Sequence, residues 1–571
     1  MEVFCGLRLL TAVSFACWLQ LVPARGAIGS GEARQGSGPI NVTSVPLPSG
    51  AAIYRGPGTV TAMLPRDATS VFRNPFMGWV IYASDHGDIP EAHAYWEQVK
   101  PCLPYVSTCY IRVLWSEMEP REGVFAWDTN TNFMALVQGA LERGLKLAFR
   151  VYVDSQDVPV QATPQWAFDA GVPVIAQANN GSDPDIRSPV FQQFYGAFIH
   201  AFGEAYDNPS KVAWVDTSPF GQWGENNVGL PLAYMTNAAD RARVMTWLCT
   251  TLTNAFTRVP TAMNFPGGTW TDSELDEYCF SSGCTTIRRD GLGPYGWMNT
   301  NEEAAIQARW PRLPFVAEQA SYDPPANEVA WTVAQALYLH ANFLDMRCPS
   351  SARQKVAGMA GLVRTFNLYG GYRFSVDSVT YPDIVTPGSN LVLQATIRNW
   401  GAGVLPNNLK PWNHKYKFSW ALVDAAGNPA AMIVDTSPAD DPFHWTNGIA
   451  YLPPLTNGMP SGGLMANYWL TNGQAYVLQT TNSFGDVRPG NYYLGVAIVN
   501  TANRNQVDIT LANSAPRAAS GWTIAGRVTV KAAPDIEPSL RSRSGPEGAK
   551  MHPVSANTDI LRNSVSSEAA P

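Results

Sequence analysis

Residues 191–226, FQQFYGAFIHAFGEAYDNPSKVAWVDTSPFGQWGEN, decide the fold. Phe191, Phe194, Tyr195, Phe198, Ile199, Phe202 and Tyr206 recur at spacings of three and four, the pattern of an amphipathic helix. The next apolar run, Val212-Ala213-Trp214-Val215, is strand-length and runs straight into a polar turn. The same order appears upstream, where Phe133 to Leu141 reads as helix and Leu145 to Val151 as strand. Downstream, the strand Pro314-Phe315-Val316-Ala317 precedes a helical stretch from Trp331 to Phe343. Strands alternating with helices imply parallel βα units. The span from Val71 to Phe374 suits an α/β fold of the (β/α)8 TIM-barrel type, which takes roughly 250 residues or more. A doubly wound sheet is the rival, but the Gly-rich phosphate turn expected after its first strand is absent. The eighth strand is ambiguous between Phe343-Leu344 and Tyr372-Arg373-Phe374.

From about Ser375 the period changes to two. Leu391, Leu393, Ala395 and Ile397 alternate with more polar neighbours, as do Tyr416, Phe418, Trp420 and Leu422, and a third run spans Tyr492 to Val499. Such strands, separated by turn signals like Ala426-Gly427-Asn428-Pro429, predict an antiparallel β-sandwich with an accessory role. The expected organisation is a signal peptide at 1–26, a flexible leader at 27–60, the barrel at 61–374, the sandwich at 375–531 and a disordered tail at 532–571. The signal rests on Arg8, the apolar run Leu9 to Leu21, and small residues Ala24 and Gly26 before a cut. That run is too short for a comfortable membrane span, so the mature chain is expected to be secreted with no span.

Composition narrows the partners. Charged residues make up 15% of the chain, against about 25% in ordinary soluble domains, and the formal net charge is −7 with no basic stripe. Nucleic acid is therefore not an expected partner, since phosphate binding needs clustered Lys and Arg. Nineteen Trp, 22 Tyr, 47 Gly and 44 Pro fit a loop-rich protein with a neutral polar ligand. Six cysteines follow the signal, and Cys279 with Cys284 is the easiest pair to bridge, then Cys102 with Cys109. None has zinc spacing, and the seven His are scattered, so neither a metal nor a cofactor is expected. Asn41 (NVT) and Asn180 (NGS) are N-glycosylation sequons.

In a barrel, chemistry belongs at the C-terminal ends of strands. The strand Val212–Val215 leads to Glu225, and Phe315–Ala317 ends in Glu318. Two carboxylates at such ends suit glycoside hydrolysis, in which one carboxyl protonates the leaving oxygen and the other acts as nucleophile or base. No GxSxG accompanies them to suggest a Ser-His-Asp alternative.

Arg112, Trp115, Glu119-Pro120, Gly123, Phe125 and Trp127 resemble the R..W...EP..G.F.W signature after the second strand of clan A glycoside hydrolases, especially family 42. Asn74-Pro75 with Gly78, Trp223-Gly224-Glu225, Arg288-Arg289-Asp290 and Gly371-Tyr372-Arg373-Phe374 resemble hallmarks of secreted glycoside-hydrolase-like barrels carrying a C-terminal β-domain. The resemblance covers roughly residues 60–530. It implies Glu225 after strand four as acid/base and Glu318 after strand seven as nucleophile. It departs in one place: the clan usually has Asn directly before the acid/base, and here Gly224 stands there, with Asn226 as a substitute donor to a sugar hydroxyl. Arg112, Trp115, Glu119, Trp223, Asn226 and Asp290 complete the candidate substrate contacts. Each has a plainer reading: Glu119 as a loop brace, Arg112 as a buried ion-pair partner, Asp290 as an acceptor for Arg288 or Arg289, and the tryptophans as core. The leading expectation is a secreted, retaining glycosidase acting on a neutral polysaccharide or oligosaccharide. The alternative is a non-catalytic carbohydrate-binding or adhesion protein on a hydrolase-like scaffold.

Overall fold

A computed structural model describes residues 53–531 except 85, 157, 159, 179, 227–234, 266–271 and 448–472. The signal peptide, most of the leader, the Asn41 sequon and the tail lie outside the described residues. The chain opens with a hairpin, β1 (Ile53–Gly56) and β2 (Thr59–Met63). The first barrel strands follow as β3 (Gly78–Tyr82), β4 (Val106–Leu114) and β5 (Lys146–Tyr152). A small hairpin, β6 (Val174–Ala178) and β7 (Gly181–Pro184), is inserted next and carries exposed Asn180 in its turn. The barrel resumes with β8 (Val212–Asp216), β9 (Thr261–Asn264), β10 (Thr286–Leu292), β11 (Phe315–Gln319) and β12 (Ala341–Asp345). These eight parallel strands close, with β12 pairing β3. The eighth strand is thus the Phe343-Leu344 segment.

The helix read at 191–206 runs from Pro189 to Tyr206, started by Pro189 and capped by Ser188, whose side chain accepts from Val190 N. Its aromatic stripe packs outside β5, where Phe149 meets Phe202 edge-on and Tyr206 at a tilt. Each barrel strand shows one inside and one outside face, set by the period of two. Ile111, Val113, Leu147, Phe149 and Val151 join the core under the helices. Val80, Tyr110, Ala148, Trp214, Val316 and Phe343 fill the barrel interior. Buried side chains of this size contribute about 1.5–3 kcal/mol each, so both faces are tightly determined.

Beyond the barrel come β13 (Phe374–Tyr381), β14 (Ile384–Val385), β15 (Leu391–Asn399), β16 (Tyr416–Val423) and β17 (Pro429–Val434). They are followed by β18 (Ala475–Asn482), β19 (Gly490–Asn500), β20 (Gln506–Ile509) and β21 (Thr523–Val530). One sheet has the order β1-β2-β13-β15-β18; the other has β14-β21-β19-β16-β17, with β20 on β19. Pairing is antiparallel except between β14 and β21. The leader and barrel boundary at 60/61 therefore needs correction: residues 53–63 form a hairpin hydrogen-bonded to β13. The alternation in β2 (Val60 and Ala62 buried) commits it to a sheet face.

The motif residues outside the barrel mouth hold these parts together. Asn74 exchanges hydrogen bonds with Thr510, Tyr372 Oη donates to the carbonyl of Pro75, and Arg373 donates to the carbonyls of Asp67 and Ser70. Among the described residues, Cys102, Cys109, Cys279 and Cys284, the cysteines of the two expected bridges, are buried free thiols, as is Cys249. No helix among the described residues is long and apolar enough to cross a membrane.

Candidate active site

Toward the mouth, each of the eight strands carries a polar side chain on its inward face. Tyr82, Arg112, Arg150, Asp216, Asn264, Asp290, Glu318 and Asp345 occupy these positions, two residues beyond interior positions such as Val80, Tyr110, Ala148, Trp214, Ala262 and Val316. Glu225 joins them from the turn after β8. Its side chain is 15% exposed, whereas that of Glu318 is 1% exposed.

One carboxylate oxygen each from Glu225, Asp290 and Glu318 lies within 4.8 Å of the others. Guanidinium groups surround them. Arg112 Nη1 stands 3.8 Å from Glu225 and 3.7 Å from Glu318. Arg150 is 3.9 Å from Glu225, 3.6 Å from Asp290 and hydrogen-bonded to Asp216 at 2.9 Å. Arg288 pairs with Asp290 at 3.0 Å and donates to Glu318, which is also paired with Arg347 and accepts from Tyr82 Oη. Three carboxylates this close could share a cation. The four arginines already supply positive charge in the same space, however, so the donor set fits an ion-paired carboxylate cluster better than a metal centre.

The electrostatics separate the two glutamates. Burial, reinforced by Asp290 and Glu318, pushes Glu225 up from 4.5 to about 8. Burial alone would also raise Glu318, but Arg347, Arg288, Arg112 and Arg150 outweigh it and hold that carboxyl well below the ordinary range. Burial raises Asp290 as well, with Arg288 opposing. Glu225 thus holds a proton at neutral pH and Glu318 does not. Environments that drive two carboxyls apart in this way assign acid and base roles.

The turn that presents Glu225 is conformationally demanding. Gly221, Trp223, Gly224 and Asn226 all have positive φ, at 77°, 56°, 68° and 53°. For Trp223 and Asn226 this costs about 1–3 kcal/mol apiece, a strain that clusters at functional sites. Three contacts fix the turn: Arg150 donates to the Trp223 carbonyl at 3.2 Å, Asn264 Nδ2 to the Glu225 carbonyl at 2.6 Å, and Asn226 N to the Phe220 carbonyl at 2.8 Å. Gly224 is explained here: a Cβ would sit 2.7 Å from both the Ser218 carbonyl oxygen and the Tyr152 Cβ. The asparagine of the clan pattern has no room at this position.

The candidates divide accordingly. Arg112 and Asp290 meet Glu225 and Glu318, and Trp223 lies half-buried beside them. Three readings are corrected. Trp115 is fully buried outside the barrel against Trp166, Phe191, Tyr195 and Phe198, and it presents no face to a ligand. Glu119 accepts from Trp115 Nε1 at 2.8 Å and from Gly123 N at 2.9 Å, bracing the loop. Asn226 is fully buried, with its amide on Ser218 Oγ at 3.3 Å and Met263 Sδ at 3.1 Å, so it cannot donate to a sugar. Sequence reasoning missed Tyr82, Arg150, Asp216, Asn264 and Arg347. Their signal was a polar residue inside or ending an apolar strand run, as Arg150 is in LKLAFRV.

No family model and no curated protein matches the sequence. Solved structures do match. The exo-β-1,4-mannosidase Op5Man5 from Opitutaceae bacterium strain TAV5 is 14% identical over 53% of this chain, with a TM-score of 0.35, and the match spans 59% of that enzyme's length. PbGH5A, a glycoside hydrolase family 5 enzyme from Prevotella bryantii B14, is 11% identical over 54% of this chain and 98% of its own, with a TM-score of 0.33. The endo-β-1,4-mannanase from Thermotoga petrophila is 9% identical over 81% of this chain and 98% of its own, with a TM-score of 0.34.

Proposed function

We propose that the protein is a retaining glycoside hydrolase in which Glu225 is the acid/base and Glu318 the nucleophile. One observation carries this reading: two carboxyls within 4.8 Å whose proton affinities are driven in opposite directions, up to about 8 for Glu225 and far down for Glu318. Retaining enzymes hold their carboxyls about 5–5.5 Å apart, whereas inverting enzymes need about 6.5–9.5 Å for an intervening water. In the first step Glu225 gives its proton to the glycosidic oxygen as that bond breaks, and the ionised Glu318 oxygen bonds to the anomeric carbon. In the second step Glu225, now ionised, takes a proton from water as the water oxygen displaces Glu318. Arg112 touches both residues and offsets the negative charge that passes between them. The two C-terminal sheets send side chains into one buried cluster, and we read them as an accessory sandwich.

The alternative, a carbohydrate-binding scaffold without catalysis, is favoured by the 1% exposure of Glu318 and its tight pairing with Arg288 and Arg347. A release assay over a panel of neutral polysaccharides and aryl glycosides separates the two. Turnover abolished in both Glu225→Gln and Glu318→Gln supports the hydrolase; glycan binding without any product supports the scaffold.

A further inference from the structure

At the opposite end of the barrel, where strands begin, a cavity of about 500 Å³ lies between the barrel floor and the C-terminal β-region. Its barrel wall includes Thr108, Lys146 and Val212, and its β-region wall includes Trp412, Lys415 and Asp508. The volume falls within the roughly 300–1,000 Å³ typical of small-ligand sites. Its lining charge is one-sided, with Arg73, Lys146, Arg258 and Lys415 against the single carboxylate Asp508. This contrasts with a chain whose net charge is −7.

Lys415 is the informative residue. It is half-buried, and among the described residues its ammonium makes no hydrogen bond or ion pair. It is held over the rings of Trp412, at 4.4 Å, and Tyr416, at 5.2 Å. Burial pulls it down to about 8; Asp508 opposes, and Lys146 and Arg258 add to the depression. Three cations therefore share one space. Asp508 already accepts from Asn500 at 2.7 Å, and Lys146 donates to the carbonyls of Pro209 and Ser210. Half-burying a cation is costly unless counter-charge is supplied, and Asp508 is the single carboxylate in the lining to answer these cations. Asn208, Ser210 and Asn503 add amide and hydroxyl groups to the lining.

We propose that this cavity binds a small polyhydroxylated anion, of the class of sugar acids, sugar sulfates and sugar phosphates, at a site separate from the carboxylate cluster. The carboxylate, sulfate or phosphate would lie against Lys415, Lys146 and Arg258, and the hydroxyls against the amides. The proposal does not depend on the hydrolase reading.

The test is calorimetric titration of the full chain with glucuronate, galactose 6-sulfate, glucose 6-phosphate and, as the neutral control, glucose. At least one charged sugar is expected to bind at sub-millimolar concentration while glucose does not. Affinity should fall about ten-fold or more in Lys415→Met and in Arg258→Ala, and stay unchanged in the Glu225→Gln/Glu318→Gln double variant. Arg258 is exposed, so its variant decides the matter should Lys415→Met fail to fold. Three outcomes overturn the proposal: no binding by any charged sugar, equal binding by glucose, or binding that survives Arg258→Ala but is lost in the double variant.

Discussion

Replacing Asp290 with asparagine removes a negative charge that helps keep Glu225 protonated, and leaves a side chain of the same shape. With oxygens within 4.8 Å, two unit charges in a medium of effective dielectric about 20 interact by about 3.5 kcal/mol. That corresponds to about 2.5 pH units at 1.36 kcal/mol per unit. Arg288 at 3.0 Å and Arg150 at 3.6 Å already answer part of the Asp290 charge, so the net effect is smaller. In the variant Arg150, 3.9 Å from Glu225, is released to act on it, which shifts it in the same direction. Glu225 should therefore titrate at least about 1 unit below its wild-type value of about 8. The assay is a carbon-13 NMR titration of glutamate-labelled protein, with the Glu225 signal assigned by its loss in Glu225→Gln. The alkaline limb of kcat/KM should fall with it, because the acid form of Glu225 is lost as pH rises through its pKa. A midpoint that stays put or moves up would refute the electrostatic account of the site.

Further outcomes follow from the same geometry. Glu225 keeps its proton in the folded state up to about 8 and loses it near 4.5 when unfolded, so its contribution to stability declines as pH rises between these values. Glu225→Gln should therefore gain stability over wild type progressively across that window, by at most about 4–5 kcal/mol; a Tm difference independent of pH would contradict this. Gly224→Ala should collapse activity and lower Tm, because the added Cβ meets the Ser218 carbonyl oxygen at 2.7 Å in a left-handed backbone; an active, equally stable variant would show that the turn is not so constrained. Trp115→Ala should cost about 3–5 kcal/mol in denaturant unfolding, and Glu119→Gln should cost less, both with KM unchanged, since neither side chain faces the mouth. A raised KM at normal stability would restore the substrate-binding role.

The barrel was legible because its signals are local. The aromatic stripe of residues 191–206 and the short run after it carry their periods on the surface of the sequence. Glu225 and Glu318 were found by a positional rule, polar groups just beyond strand ends. That rule cannot tell which face a residue takes. Trp115 sits one residue past β4 and packs outward, whereas Arg112 in the same strand points inward with Tyr110, and the two read alike in a motif. The arginine cage was hidden for a different reason. Arg150 and Arg347 become meaningful only when β5 and β12 are brought around one axis, a non-local fact. The hairpin at 53–63 was missed likewise, because its partner β13 lies some three hundred residues away.

The proposed retaining mechanism requires a covalent glycosyl ester at Glu318. Incubating the protein with a panel of 2-deoxy-2-fluoro glycosyl fluorides, then digesting and weighing the peptides, tests it directly. The fluorine slows the second step, so a retaining enzyme accumulates the ester. The expected result is a single glycosyl adduct on the peptide containing Glu318, absent from Glu318→Gln. An adduct on Glu225 instead, or hydrolysis of a natural glycan with inverted anomeric configuration and no adduct, would contradict the assignment.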